Sequence, residues 1–261
     1  MPVTIGGATQ TPAVPQGQGK MPSFLKTGDE AQEAFKQQEL ARQAAQEAFG
    51  RMWRFYIKGT DLGKPHKITF LDGIINPATK LLGNPSWRDH TVKNARGMFD
   101  NYVCTDHGGP GSEPCPLCQN SNADKPSVVM GFTIIDHRPV TFTKGDKAGK
   151  TEPFSKKLLI AKSKTLPLLQ IKAAARGGLR GVQMDVIRTS TTEASVGNIF
   201  EAVLQYDEAE LKAEFGEHYL PADWDHELNY KTAKELVDMG AAPPMAGLSQ
   251  AGVSADYTKE M

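Results

Sequence analysis

The residues best equipped for chemistry are three cysteines and two histidines in one short stretch. Cys104, Cys115 and Cys118 are all the cysteines of the chain. Cys115 and Cys118 form a C-x2-C knuckle inside Pro114-Cys115-Pro116-Leu117-Cys118, and one tight turn thereby offers two thiolates. Zinc takes four soft or borderline ligands in a tetrahedron, so two more must come from neighbouring segments. Cys104 is one. The other is His90, in H-x13-C-x10-C-x2-C, or His107, in C-x2-H-x7-C-x2-C, and spacing alone does not separate them. A redox C-x-x-C usually opens a helix after a strand. This one follows Gly-Gly-Pro-Gly-Ser-Glu-Pro, which favours one structural Zn2+ over a redox pair.

The same knuckle matches half of the zinc-deaminase signature, P-C-x-x-C, which also requires H-x-E or C-x-E upstream. No H-x-E occurs, and Cys104-Thr105-Asp106 lies too close to Cys115 to leave room for a deaminase scaffold. Three cysteines and one histidine leave no open coordination position, which is the pattern of a structural site. With no H-E-x-x-H, G-x-S-x-G or Walker loop in the chain, the expectation is a protein that is not an enzyme.

Charge points to a partner. The formal net charge is zero, but residues 1–206 carry 26 Lys and Arg against 18 Asp and Glu, while residues 207–261 carry 4 against 12. A body of +8 beside a tail of −8 reads as a polyanion binder that carries its own competitor. Basic and aromatic residues interleave along the body. Arg54, Tyr56 and Lys58 share one strand face, and Trp87, Arg88, Lys93 and Arg96 lead into Phe99 and Tyr102. Arg138, Phe142 and Lys144 alternate, and Lys162, Lys164, Arg176, Arg180 and Arg188 surround a short helix. Single strands are held by cationic grooves and aromatic stacking platforms, whereas no basic recognition helix for a duplex stands out. Trp53, Phe55 and Phe70 are assigned instead to the core.

The elements that must position these residues follow from periodicity. Residues 1–22, rich in Gly, Pro, Gln and Thr, read as a flexible arm. Thr27 and Glu30 have capping-box spacing ahead of an Ala/Gln/Glu-rich run, so 23–50 reads as an N-terminal helix stopped by Gly50. From Arg51 the period becomes two, and WRFYIK is expected to pair with HKITFLDG as a hairpin. SVVMGFTIID, apolar on both faces, should be a central strand. RPVTFTK, KKLLIA, LRGVQMDVIRTS and NIFEAVLQY supply further strands, with a short helix ending at Gly177. Short strands with one inserted helix predict a small β-barrel. DEAELKAEF reads as an acidic helix opening an acidic, partly disordered tail over 207–261. No run approaches the roughly 18 apolar residues of a membrane span.

The segment FDNYVCTDHGGPGSEPCPLCQ (99–119) resembles the zinc segment of T4-type phage single-stranded DNA-binding proteins, the helix-destabilising proteins. In that family an aromatic strand ends in the first cysteine, a His-Gly turn follows, and C-P-x-C-Q completes the motif. The family's fourth ligand is a histidine about one strand upstream, the place His90 occupies. FTIIDHRP and KKLLIAKSKTL look similar as well, so the likeness spans about residues 51–206. It implies a mainly β chain, an OB-fold-like barrel with an inserted zinc-binding subdomain (about 85–125), flanked by an N-terminal helix and an acidic C-terminal tail. It further implies coating of single-stranded DNA during phage replication, recombination and repair in the cytoplasm of the infected bacterial host. Self-association along DNA and recruitment of phage replication and recombination proteins by the acidic region, here 207–238, complete the implied picture. A zinc-ribbon adaptor that binds replication proteins is the alternative, with a nucleic-acid deaminase behind it.

Overall fold

The computed structural model describes residues 32, 33, 36, 51–93, 99–109, 112–120, 123, 125–143, 148–228 and 230–243. The expected arm 1–22, most of the expected helix 23–50, Arg96, Lys144 and residues 244–261 lie outside the described residues. The chain is mainly β. Its strands are β1 (His66–Phe70), β2 (Ser86–Lys93), β3 (Phe99–Val103), β4 (Ser127–Asp136), β5 (Val140–Thr141), β6 (Thr151–Glu152), β7 (Ser155–Ala161), β8 (Val182–Ile187) and β9 (Ile199–Gln205). Beyond the helical positions 32, 33 and 36, the α-helices among the described residues are α1 (Leu166–Arg176), α2 (Glu208–Phe215), α3 (Trp224–Glu227) and α4 (Ala233–Asp238).

Strands β3-β2-β4-β1-β8-β9 run in that order in one antiparallel sheet, and β7 lies along the other edge of β4. Strand β4 is the hub because its ten residues serve three partners. Ser127–Met130 pairs with β2, Ile134–Asp136 pairs with β1, and Met130–Asp136 pairs with β7. Its even positions Phe132 and Ile134 enter the main core with Ile68, Phe70, Leu159, Met184, Val186 and Phe200. There Phe70 and Phe132 meet edge to face at 5.7 Å, the arrangement that ring quadrupoles favour.

Two pairings differ from the sequence expectation. Residues 53–57 do not form a hairpin with β1. They run beside β7, with the Phe55 N–H donating to the Leu158 carbonyl at 2.7 Å, and reach the β8–β9 loop through Ile57 N–H to Ser195 O at 2.7 Å. The connection from Lys58 to His66 makes a 3-10 turn at Gly59–Asp61, and burying Phe55 and Ile57 decides the placement. Among the described residues no sheet is closed into the expected barrel. The strand expected over 138–144 shrinks to β5, because Pro139 lacks a ladder donor and Arg138 folds back onto Asp136.

The odd face of β4 is covered by the segment read from sequence as an acidic tail. Helix α2 opens with a capping box, Asp207 and Glu210 each accepting the other's backbone N–H at 2.8 Å. Leu211 and Phe215 bury against Leu71 and Ile135, and the Arg180 guanidinium grips Glu208 at 2.7 and 2.8 Å. Further on, the Ala222 N–H donates to Thr133 Oγ1 at 2.9 Å, and Trp224 packs on Trp87 with ring centroids 5.8 Å apart. Gly131 makes this possible, since a Cβ there would stand 2.3 Å from Trp224. Glu227 then accepts the Met52 N–H at 2.6 Å. Residues 207–228 are therefore a structural strap with acidic groups on its outer side.

Asp72 sits where β1, β4 and the strap meet. Its carboxylate accepts Thr133 N–H at 2.8 Å and Asn84 Nδ2–H at 2.9 Å. Burial nevertheless pushes the carboxyl up from 3.8 to about 6, those bonds and the Arg180 charge only partly opposing it. A raised carboxyl favours the protonated fold, so its contribution is complete below pH 4 and is lost as pH rises through about 6. A carbon-detected NMR titration should show the Asp72 carboxyl changing near pH 6. A midpoint near 4 would contradict this account.

Candidate metal centre

Strand register, rather than sequence distance, brings the four ligands together. Strand β2 pairs with β3 so that His90 faces Tyr102, two residues before Cys104. The Cys104 N–H donates to the Arg88 carbonyl at 2.8 Å and continues that ladder past the end of β3. Cys115 caps the 3-10 turn Pro116–Gln119, and the Cys118 N–H closes onto the Cys115 carbonyl at 3.1 Å. Pro116 at the start of the turn fixes φ where no donor is needed.

The ligand atoms of His90, Cys104, Cys115 and Cys118 all lie within 4.8 Å of one another. Cys104 Sγ stands 3.8 Å from Cys118 Sγ, and His90 Nε2 stands 3.5 Å from both Cys115 Sγ and Cys118 Sγ. Ligands at ordinary zinc distances stand about 3.8 Å apart sulfur to sulfur, and about 3.6 Å sulfur to nitrogen, along a tetrahedron's edges. Those three distances match a tetrahedron's edges, and the group could hold a single metal ion. His107, the other candidate by spacing, is exposed and turns its Nδ1 toward the Gly109 N–H at 3.3 Å, so it is not part of the group.

The electrostatics agree with that fit. Burial pushes the Cys104 thiol up to about 12 and raises Cys118 as well, the nearby Cys115 adding to both. Burial opposes ionisation of Cys115 too, but hydrogen bonds from His90 and Thr105 outweigh it and hold that thiol low. Three thiols packed on one imidazole, two of them buried, give up their protons together only to a cation. Arg88 lies beside Cys118 and donates to the Asp106 carbonyl at 2.7 Å, placing positive charge next to a three-thiolate cluster. Four protein donors close the coordination sphere, so the group can hold an ion but offers a substrate no vacant position.

The expected nucleic-acid contacts divide sharply. Arg54 is committed to the buried Asp89 by two bonds of 3.0 and 3.1 Å, and Trp87 donates to the same carboxylate at 3.1 Å. Arg138 lies 5.0 Å over the Phe55 ring and is locked to Asp136. Arg180 holds Glu208 and the Leu71 carbonyl, and Arg188 ties the carbonyls of Ile57, Thr191 and Glu193. Tyr102 is buried beneath the ligands with Val92 and Leu117. Tyr102 is thus packed inside, and the four arginines and Trp87 are engaged within the fold. Phe142 is half-buried.

Tyr56, Lys58, Lys93, Phe99, Lys162, Lys164 and Arg176 do face solvent. Phe99 is 65% exposed, directly across the ladder from Lys93, and Tyr56 is 53% exposed. Trp53, assigned to the core, is 60% exposed instead. It lies where residues 53–57 begin to run along β7, and the core takes Phe55 and Ile57 but not Trp53. Comparison with protein-family models, with curated proteins and with solved structures returns no match.

Proposed function

We propose that the chain binds single-stranded DNA without sequence specificity, through an OB-fold-like core stiffened by one structural zinc ion. The observation that supports this best is the solvent-facing pair of Phe99 and Lys93 on the hairpin that also carries His90. An exposed phenylalanine beside a lysine on a rigid strand suits a base stacked on the ring with its phosphate at the ammonium. Tyr56 with Lys58, the newly found Trp53, and the cations Lys162, Lys164 and Arg176 extend the same chemistry. The resemblance of residues 99–119 to the helix-destabilising proteins adds the biological setting of phage replication, recombination and repair in the host cytoplasm. In this reading the zinc shapes the surface, no reaction is catalysed, copies associate along the strand, and replication proteins dock on the acidic outer side of the strap. Among the described residues no helix is long and apolar enough to cross a membrane.

Fluorescence titration with poly(dT) and with duplex of equal length, at two salt concentrations, tests the proposal. Single strands should bind more tightly, and log K should fall with log salt by about 0.7 per phosphate neutralised. Phe99→Ala and Tyr56→Ala should each weaken binding by about 1–3 kcal/mol. Tyr102→Ala should instead loosen the metal segment, since its ring is buried there. Equal affinity for duplex and single strand overturns the proposal.

A further inference from the structure

Among the described residues, helix α4 packs on the metal-bearing segment. Leu236 and Ala242 are buried in one cluster with Val92, Tyr102, Leu117 and two of the ligands themselves, Cys104 and Cys115. Two polar bonds complete the contact. The Ala233 N–H donates to Glu113 Oε2 at 3.3 Å, and Asn120 Nδ2–H donates to the Ala241 carbonyl at 3.0 Å. Glu113 and Asn120 each lie two residues outside the knuckle, flanking Cys115 and Cys118. The anchors Glu113, Leu117 and Asn120 therefore all lie within two residues of a ligand.

Helix α4 and the knuckle segment each have little regular structure of their own. Helix α4 has six residues, and isolated helices shorter than about 12–15 residues are marginal in water. The segment from Cys104 to Asn120 contains a single 3-10 turn among its described residues. Its chain order depends on closing four side chains from three segments around one point. The earlier part of the strap is held quite differently, by Leu211, Phe215, Ala222 and Trp224 against β4 and its neighbours.

We propose that the ion bound by His90, Cys104, Cys115 and Cys118 acts as the latch for the C-terminal helix, so that losing it releases residues 230–243 while residues 208–228 stay in place. Coupling of this kind is reciprocal. Undocking α4 must also weaken the grip on the ion. The metal site thereby controls whether the chain's C-terminal segment is presented or packed away, independently of nucleic-acid binding.

Hydrogen exchange read by mass spectrometry on the full chain tests this, with zinc as the probe and stoichiometry measured on the same sample. Chelation of the zinc-loaded chain should speed exchange at the amides of 233–239 by at least about tenfold and leave those of 211–215 within about twofold. Leu236→Ser leaves all four ligands intact. It should give the same fast exchange at 233–239 with zinc still bound, and should speed zinc transfer to a chromogenic chelator. Unchanged protection of α4 after zinc removal overturns the latch, as does parallel loss over 211–215. So does a Leu236→Ser chain that surrenders zinc at the parent rate. A chain that takes up no zinc overturns the metal site and the latch together.

Discussion

Cys115→Ser is expected to abolish zinc binding and to unfold one end of the molecule. Structural zinc sites contribute on the order of 10–16 kcal/mol of apparent binding energy, far above the few kcal/mol of an ordinary side-chain change. The loss should be local in its effect. The main core of Phe55, Ile68, Phe70, Phe132, Ile134 and Met184 contains none of the four ligands. The β2–β3 hairpin end and residues 104–120 should melt first, ahead of the transition of the main sheet. Metal analysis and near-ultraviolet circular dichroism during heating would show it. His90→Ala should behave alike, and His107→Ala should retain zinc, because His107 faces water. Full zinc content in Cys115→Ser or His90→Ala would mean that the ligand set is wrong.

Asp136→Ala should also be strongly destabilising, without touching the metal. Its buried carboxylate accepts Arg138 Nε at 2.9 Å, Arg138 Nη2 at 2.6 Å and Lys157 Nζ at 2.7 Å. Removing the one anion leaves two cations facing each other at the end of β4, with Lys157 only 13% exposed. Breaking a buried ion network in this way costs about 3–5 kcal/mol. Partial escape of Arg138 toward water places the expected value near the lower bound. Urea denaturation should show a lower midpoint with an unchanged slope. Burial works against the charge on Asp136, yet the bonds from Arg138 and Lys157 outweigh it and hold the carboxyl below its ordinary value. A depressed carboxyl stabilises the fold above the ordinary aspartate range and loses that contribution as pH falls through its folded pKa. The parent chain should therefore lose stability below about pH 4, and Asp136→Ala should lose less over the same interval. An Asp136→Ala chain as stable as its parent would contradict this role.

The ligand group was legible because a C-x2-C knuckle constrains itself, whereas its histidine was not fixed by spacing. The deciding quantity is the β2–β3 register, which sets His90 opposite Tyr102, and no linear distance encodes that. The central position of β4 could be read from apolar residues on both faces. What covers its second face could not, since Leu211, Phe215, Ala222 and Trp224 are scattered through a run dominated by acidic residues. Counting charges also overstated the cationic surface. Arg54, Arg138 and Arg180 each have a carboxylate partner that only the fold brings into range, apart from Asp136, which stands two residues from Arg138. Pattern thus located the basic body, but side-chain pairing decides how much of it faces outward.

The strap over β4 also sets an order of events during synthesis on the ribosome. Strand β4 ends at Asp136, and the last strap residues that seal it, in α3, end at Glu227. At about 5–20 residues per second, roughly 5–20 s separate the emergence of the two. Throughout that interval Val129 and Ile135, joined by Leu158 and Ile160 once β7 is made, form an uncovered apolar strip on β4 and its neighbour. A nascent chain at this stage is a natural client for a holding chaperone, and residues 207–228, although rich in acidic groups, decide when that client is let go.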